Sequence, residues 1–236
     1  MSTYKKISAK NTFRLALAAS TLLLSSLTFA DRGREYEVTI TNITKGQTFT
    51  PQLVTTHSPN VELFTLGSPV SLGVEILAED GNTAPLTSEL EAKGRKVSDI
   101  KTIGGLLGPG ETSSIVVKAG RYQNKVSVMA MLIPTNDTFV ALEGVNLPFR
   151  GSKTYVAIAY DAGTELNDQK CINMPGPRCQ GEGFSEGPNV GDEGFAYVSN
   201  GFHDLGAEDE EGNEILGPLT YDWRNPVALV TVTRLK

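Results

Sequence analysis

KVSVMAMLIPTNDTFVALEGVNLPFRGSKTYVAIAYD, residues 125–161, holds three apolar runs separated by two polar turns. The runs 125–133, 139–142 and 153–160 are short and rich in β-branched and aromatic residues, the composition of strands. Pro, Asn and Asp punctuate the first gap, and Pro148 opens the second. Along an up-and-down path the first strand runs toward one end, where Asn136 and Asp137 turn. The second runs back, the stretch 148–152 turns at the far end, and the third returns. Asp161 then arrives at the same end as Asp137.

Outward from this meander the same signals recur. Strands are predicted at 36–43, 52–56, 114–118, 195–199 and 227–234, each bounded by Gly, Pro, Asn or Asp. Some eight short strands with such breaks predict an all-β fold, an antiparallel β-sandwich or barrel. Two stretches depart from that pattern. Residues 70–79 carry Val74, Ile76 and Leu77 and stop at Asp80-Gly81, a helix terminus. Residues 85–93 begin on Pro and place Leu86 and Leu90 four apart, before Gly94. Two short helices inserted between early strands fit both. From Asp161 to Gly194 the chain loses periodicity and becomes rich in Gly and Pro. A loop of that length inside a folded domain is a candidate for function. The acidic run Glu208 to Glu214 reads as a solvated loop.

The first thirty residues read as an export signal. Lys5, Lys6, Lys10 and Arg14 open it, an apolar stretch runs from Leu15 to about Leu27, and Thr28-Phe29-Ala30 offers a small-residue cleavage site. The expected organisation is a signal at 1–30 and a single domain at 31–236, exported to the periplasm or the extracellular space. The first thirty residues hold four of the 21 basic residues and none of the 27 acidic ones, leaving a charge of 17 − 27 = −10 on the rest. Such a surface repels phosphate backbones and anionic lipid, which argues against nucleic acid and disfavours membrane association. The only cysteines, Cys171 and Cys179, read as one disulfide in an oxidising compartment. Two cysteines and two distant histidines do not make a zinc site.

Three groups of residues carry possible chemistry. Asp137, Asp161 and Glu165 are positioned to converge at one rim, with Gly163 permitting the bend that aims the last two together. Carboxylates so crowded repel unless a cation neutralises them, and calcium takes six to eight oxygens of this kind. Asn136, Asn167, Asp168 and local carbonyls complete such a set, whereas zinc or copper prefers imidazole or thiolate. Ser185 in GFSEG, followed by Asp192 and His203, matches a hydrolase nucleophile elbow. That motif works only on a strand-to-helix turn, and neither a strand before Gly183 nor a helix after Gly187 is predicted. No catalytic residue is assigned. His203, beside Asp204, reads as a surface hydrogen-bonding group, and His57 beside Ser58-Pro59 as part of a turn. The sequons at Asn42 and Asn136 are coincidences of composition.

Several stretches together resemble the spondin N-terminal-type domain. They are YEVTITNIT at 36–44, FTP at 49–51, LAEDGN at 77–82, MLIPTNDTFVAL at 131–142, AYDAGTELND at 159–168 and DWRNPVALVTVTR at 222–234. The resemblance implies an antiparallel β-sandwich similar to C2 domains, with Ca²⁺ bound by loops at one end. Carried over by position, the ligands are Asp137 in TNDTF and Asp161 and Glu165 in DAGTE. The animal pattern has Asp at the last position, and Glu165 keeps the charge on a longer arm. The resemblance further implies a binding or adhesion module with a protein or glycan partner at the cell surface or matrix. Its alternatives are a purely structural calcium-stabilised domain and a C2-like module that associates with membranes.

Overall fold

Ten strands with a few short helices between them make up the computed structural model, which describes residues 1–3 and 33–235. The strands are β1 (Arg34–Asn42), β2 (Thr48–Phe49), β3 (Gln52–His57), β4 (Val97–Ile103), β5 (Thr112–Ala119), β6 (Lys125–Ile133), β7 (Thr138–Asn146), β8 (Ser152–Asp161), β9 (Tyr197–Val198) and β10 (Ala228–Arg234). The helices are α1 (Leu72–Asp80), α2 (Ala84–Glu91) and the single turn α3 (Pro218–Tyr221). The predicted signal at 1–30 lies outside the described residues, apart from its first three positions.

The neighbours in the sheet run β4-β3-β6-β7-β8-β10-β1-β5, with β2 added to β6 and β9 to β8, and every pairing is antiparallel. This is the expected antiparallel all-β class with helices between early strands, built as one continuous sheet rather than two separate ones. β8 makes the continuity. Its first part, Ser152 to Ala157, pairs with β10, and its second, Ile158 to Asp161, pairs with β7. The strand thus passes from one half of the sheet to the other, as corner strands do. At the open edges Lys118 N–H donates to Asp99 Oδ2 (2.8 Å) and Gly120 N–H to Ser98 Oγ (3.0 Å), so β4 and β5 face each other and the sheet nearly closes.

Alternation along the strands supplies two cores. Tyr36, Val38 and Ile40 of β1, Val126, Val128 and Leu132 of β6, and Val230 and Val232 of β10 fill the space the sheet encloses. Leu53, Met129, Phe139 and Ala141 point to the opposite face, where Val74, Leu77, Leu86 and Leu90 of α1 and α2 cover them. β6 and β7 are therefore buried on both faces, which is why they read as continuous apolar runs rather than alternating ones. Ser71 caps α1 by accepting from Val74 N–H, and Gly81 ends it in the left-handed conformation at φ 68°. The glycine stop predicted at Asp80-Gly81 is the real one.

Candidate functional site

The turn between β6 and β7 carries Asp137, and the register of β7 on β8 decides what meets it. Thr138 lies opposite Asp161, so the last residue of β8 arrives one position from Asp137. Ala162 N–H then donates to the Asp137 carbonyl (3.2 Å) and continues the pairing past the strand end. Gly163, at φ 68°, reverses the chain immediately afterwards. A Cβ there would collide with the Phe195 backbone, so a left-handed and crowded position demands glycine twice over. The reversal aims two successive amides at one carboxylate: Thr164 N–H (2.7 Å) and Glu165 N–H (3.1 Å) both donate to Asp137 Oδ2. Asp161 is held by Gly163 N–H (3.0 Å) and by Asn167 Nδ2 (3.0 Å). Glu165 Oε1 accepts from Ser185 Oγ at 2.7 Å.

The structure thus places Asp137, Asp161 and Glu165 in one neighbourhood, all three buried. A fourth buried carboxylate, Glu79 of α1, joins them. Its Oε2 accepts from Ser185 N–H at 3.0 Å, so Ser185 stands between Glu79 and Glu165. Sequence reasoning missed Glu79 because it sits within a helical run; its only signal is a charged residue beside the apolar pair Leu77 and Ala78. Of the other expected contributors, Asn136 donates to Asp168 Oδ1 (3.2 Å), and Asp168 also holds Lys170 N–H and Asn173. Asp168 is therefore engaged in its own turn, and Asn167 serves Asp161. Asn136, Glu165, Asp168, Asn173, Glu182 and Ser185 line a cavity of ≈ 250 Å³.

Crowding and burial leave this cluster electrostatically loaded. Burial, then the neighbouring Asp161 charge, holds the Asp137 carboxyl well above its usual range, against the pull of the two amides. Burial pushes Glu165 up to about 8, with the charges of Glu79, Asp168 and Glu182 adding to it, and Asp161 up to about 6. Burial raises Glu79 as well. Among the described residues nine buried side-chain polar atoms lack a hydrogen-bond partner, and four are oxygens here: Asn136 Oδ1, Asp137 Oδ1, Glu165 Oε2 and Glu79 Oε1. Bare buried acceptors are costly, of the order of 1–3 kcal/mol each. A donor set made only of carboxylate and amide oxygen is the chemistry of a hard cation such as calcium. The carboxylates are nonetheless spread out: among the described residues no three Asp, Glu, His or Cys side chains form a preassembled metal cluster.

The other candidates part company with the cluster or take structural roles within it. Ser185 Oγ donates to Glu165 and accepts from Asn189 Nδ2 (2.8 Å), in a segment with neither strand before it nor helix after it. His203 is exposed, as expected. His57 is not a surface turn residue but fully buried at the end of β3, bonded to Ser127 Oγ (2.8 Å) and the Ser58 carbonyl (2.9 Å). Cys171 and Cys179 form the expected disulfide. The acidic run is partly organised: Asp209 binds Lys170 (2.9 Å) and both the backbone and the side chain of Asn213.

Comparison with curated proteins returns no match. A family model described as Spondin_N matches residues 37–169, from β1 through both acidic loops. The closing stretch 222–234, part of the resemblance in the sequence, lies beyond the match, as does the disulfide. The family and the disulfide are consistent with an exported, extracellular-type domain. With both acidic loops and more than half of its length inside that match, the chain belongs to the Spondin_N family.

Proposed function

We propose that this protein is an exported calcium-binding module whose loaded loops present a surface to a protein or glycan partner, and that it is not an enzyme. One observation carries the reading: Asn136, Asp137, Glu165 and Glu79 each leave a buried oxygen without a partner, on segments that Ser185 and the Glu165 amide link to one another. Asn136, Asp137, Glu165 and Glu79 would supply those oxygens, with Asp161 adding charge from the facing strand. A bound divalent ion would offset the repulsion that holds these carboxyls above their usual range. Its effect on the chain is to tie the β6–β7 turn, the loop after β8 and the end of α1 together. The non-enzymatic reading is supported by the engagement of the Ser185 hydroxyl with Glu165 and Asn189.

Titration calorimetry and thermal melts of the purified protein test it. A ligand at 100 times its dissociation constant stabilises the fold by about 2.7 kcal/mol. For a domain of this size that is a rise of roughly 5–10 °C in Tm. Millimolar Ca²⁺ is expected to give it, chelator to reverse it and Mg²⁺ to do little, since magnesium needs tighter octahedral geometry. Asp137→Asn and Asp161→Asn are expected to lose most of the rise, and Glu210→Gln, in the exposed acidic run, to keep it. No heat of binding in the wild type, or equal binding after Asp137→Asn, removes the cation site.

A further inference from the structure

Beside the acidic cluster, residues of three segments line a second cleft, of ≈ 520 Å³. Leu72, Glu75 and Ile76 of α1 line one side. Phe184 and Asp192 of the long loop line another, and Gly163 and Thr164 complete it. The lining combines two features. It is apolar and accessible, with Leu72 57% exposed. It also carries three carboxylates, Glu75, Glu186 and Asp192, none of which forms an ion pair among the described residues.

The loop wall hangs on the acidic cluster. Ser185 reaches Glu165 and Glu79, Asn189 Nδ2 donates to the Thr164 carbonyl (2.8 Å), and Gly194 N–H donates to the Gly163 carbonyl (2.8 Å). The shape of the cleft is thus set by the residues proposed to hold the ion.

We propose that this cleft binds a basic, apolar-flanked segment of a partner polypeptide, with one Arg or Lys between Glu75 and Asp192 and its neighbours covering Leu72, Ile76 and Phe184. Charge decides the occupant. A neutral apolar segment would bury the carboxylates without partners, and an acidic one would add repulsion; both penalties select against those segments. A cation relieves both, and the net negative charge of the chain steers it in. A guanidinium on a three-carbon stem matches a lining that is apolar along its length and acidic at points. The cleft needs only the geometry described; its dependence on calcium rests on the cation site proposed above.

Amide spectra of the ¹⁵N-labelled protein in saturating Ca²⁺ test the inference, with acetyl-Leu-Arg-Leu-amide and acetyl-Leu-Glu-Leu-amide as probes. The Arg peptide is expected to move the amides of Gly163, Gly187 and Gly194 saturably, and the Glu peptide to leave them unmoved. The Glu75→Gln/Asp192→Asn double variant is expected to bind the Arg peptide at least about tenfold more weakly, as loss of the charge-assisted contacts to both carboxylates implies. The variant should still fold and still bind calcium, since neither side chain supplies an oxygen to the proposed ion. No saturable shift, equal shifts from the two peptides, or undiminished binding by the double variant overturns the cleft. If the Arg peptide binds equally well in chelator, the cleft stands and its coupling to the ion falls.

Discussion

Asp137 and Glu165 each spend one carboxylate oxygen on hydrogen bonds and leave the other buried and bare. That division makes the metal-free protein sensitive to pH. A carboxyl raised above its unfolded value keeps a proton in the folded chain that the unfolded chain has already released. Its contribution is complete below the unfolded value and is lost as pH rises through the folded one. Glu165 is raised from 4.5 to about 8 and Asp161 from 3.8 to about 6, and Asp137 is raised as well. In chelator the melting temperature is therefore expected to fall steadily between about pH 4.5 and 8. With Ca²⁺ the slope should shrink, because the ion takes the place of the protons. It should not vanish. Glu143, away from these loops, has one oxygen on Leu63 N–H and the other without a partner, and burial lifts it to about 7. Glu143→Gln is expected to reduce that remaining slope. Melts across this range in chelator that are flat, or that rise, would show that these carboxyls are not held protonated.

At the scale of the element, β6 and β7 separate the two cores, and residues on their helix-facing side matter as much as those facing the enclosed core. Phe139 is fully buried there and packs edge-on against Phe64 (centroids 5.1 Å apart). Phe139→Ala is expected to cost about 3–5 kcal/mol. Val156→Thr, on an exposed face of β8, should change stability by no more than about 0.5 kcal/mol. Urea denaturation of both variants checks the contrast, and similar losses would mean that the helix-facing core is loosely packed. Sequence reading missed β4, along with the two-residue β2. The apolar residues of β4, Val97, Ile100 and Ile103, fall three apart, a helical spacing, and its pairing with β3 slips in register between Thr56 and His57. A strand at the sheet edge whose pattern is broken by a bulge has no period-two signal to read. The two helices, by contrast, were legible within two residues of their true ends, because Gly81, Pro85 and Gly94 mark termini locally.

Over the whole molecule, the long loop from Asp161 onward is what turns a sheet end into a site. The disulfide pins only a small ring within it, spanning eight positions between Cys171 and Cys179. Thiol titration of denatured, unreduced protein is expected to find no free sulfhydryl. The Cys171→Ser/Cys179→Ser variant should lose less than about 3 kcal/mol, because the stabilisation of the unfolded-state constraint grows with ring size. A larger loss in urea would mean that the ring also holds the wall formed by 182–194.

The strands of the meander, the two helix ends, the disulfide partners and the three carboxylates at one rim were all determined by residues close together in the chain. Local turn chemistry, apolar periodicity and a count of two cysteines are enough for them. The tertiary structure alone decided that β8 passes between two halves of one sheet, that α1 and α2 create a second core, and that Glu79 and Ser185 reach the acidic loops. Glu79 and Glu165 lie far apart in sequence, and Ser185 enters from a loop without periodicity. No local pattern encodes such a meeting. It follows from the register of Thr138 on Asp161 and from the face of α1 that covers β6 and β7, and both are settled only when the chain packs.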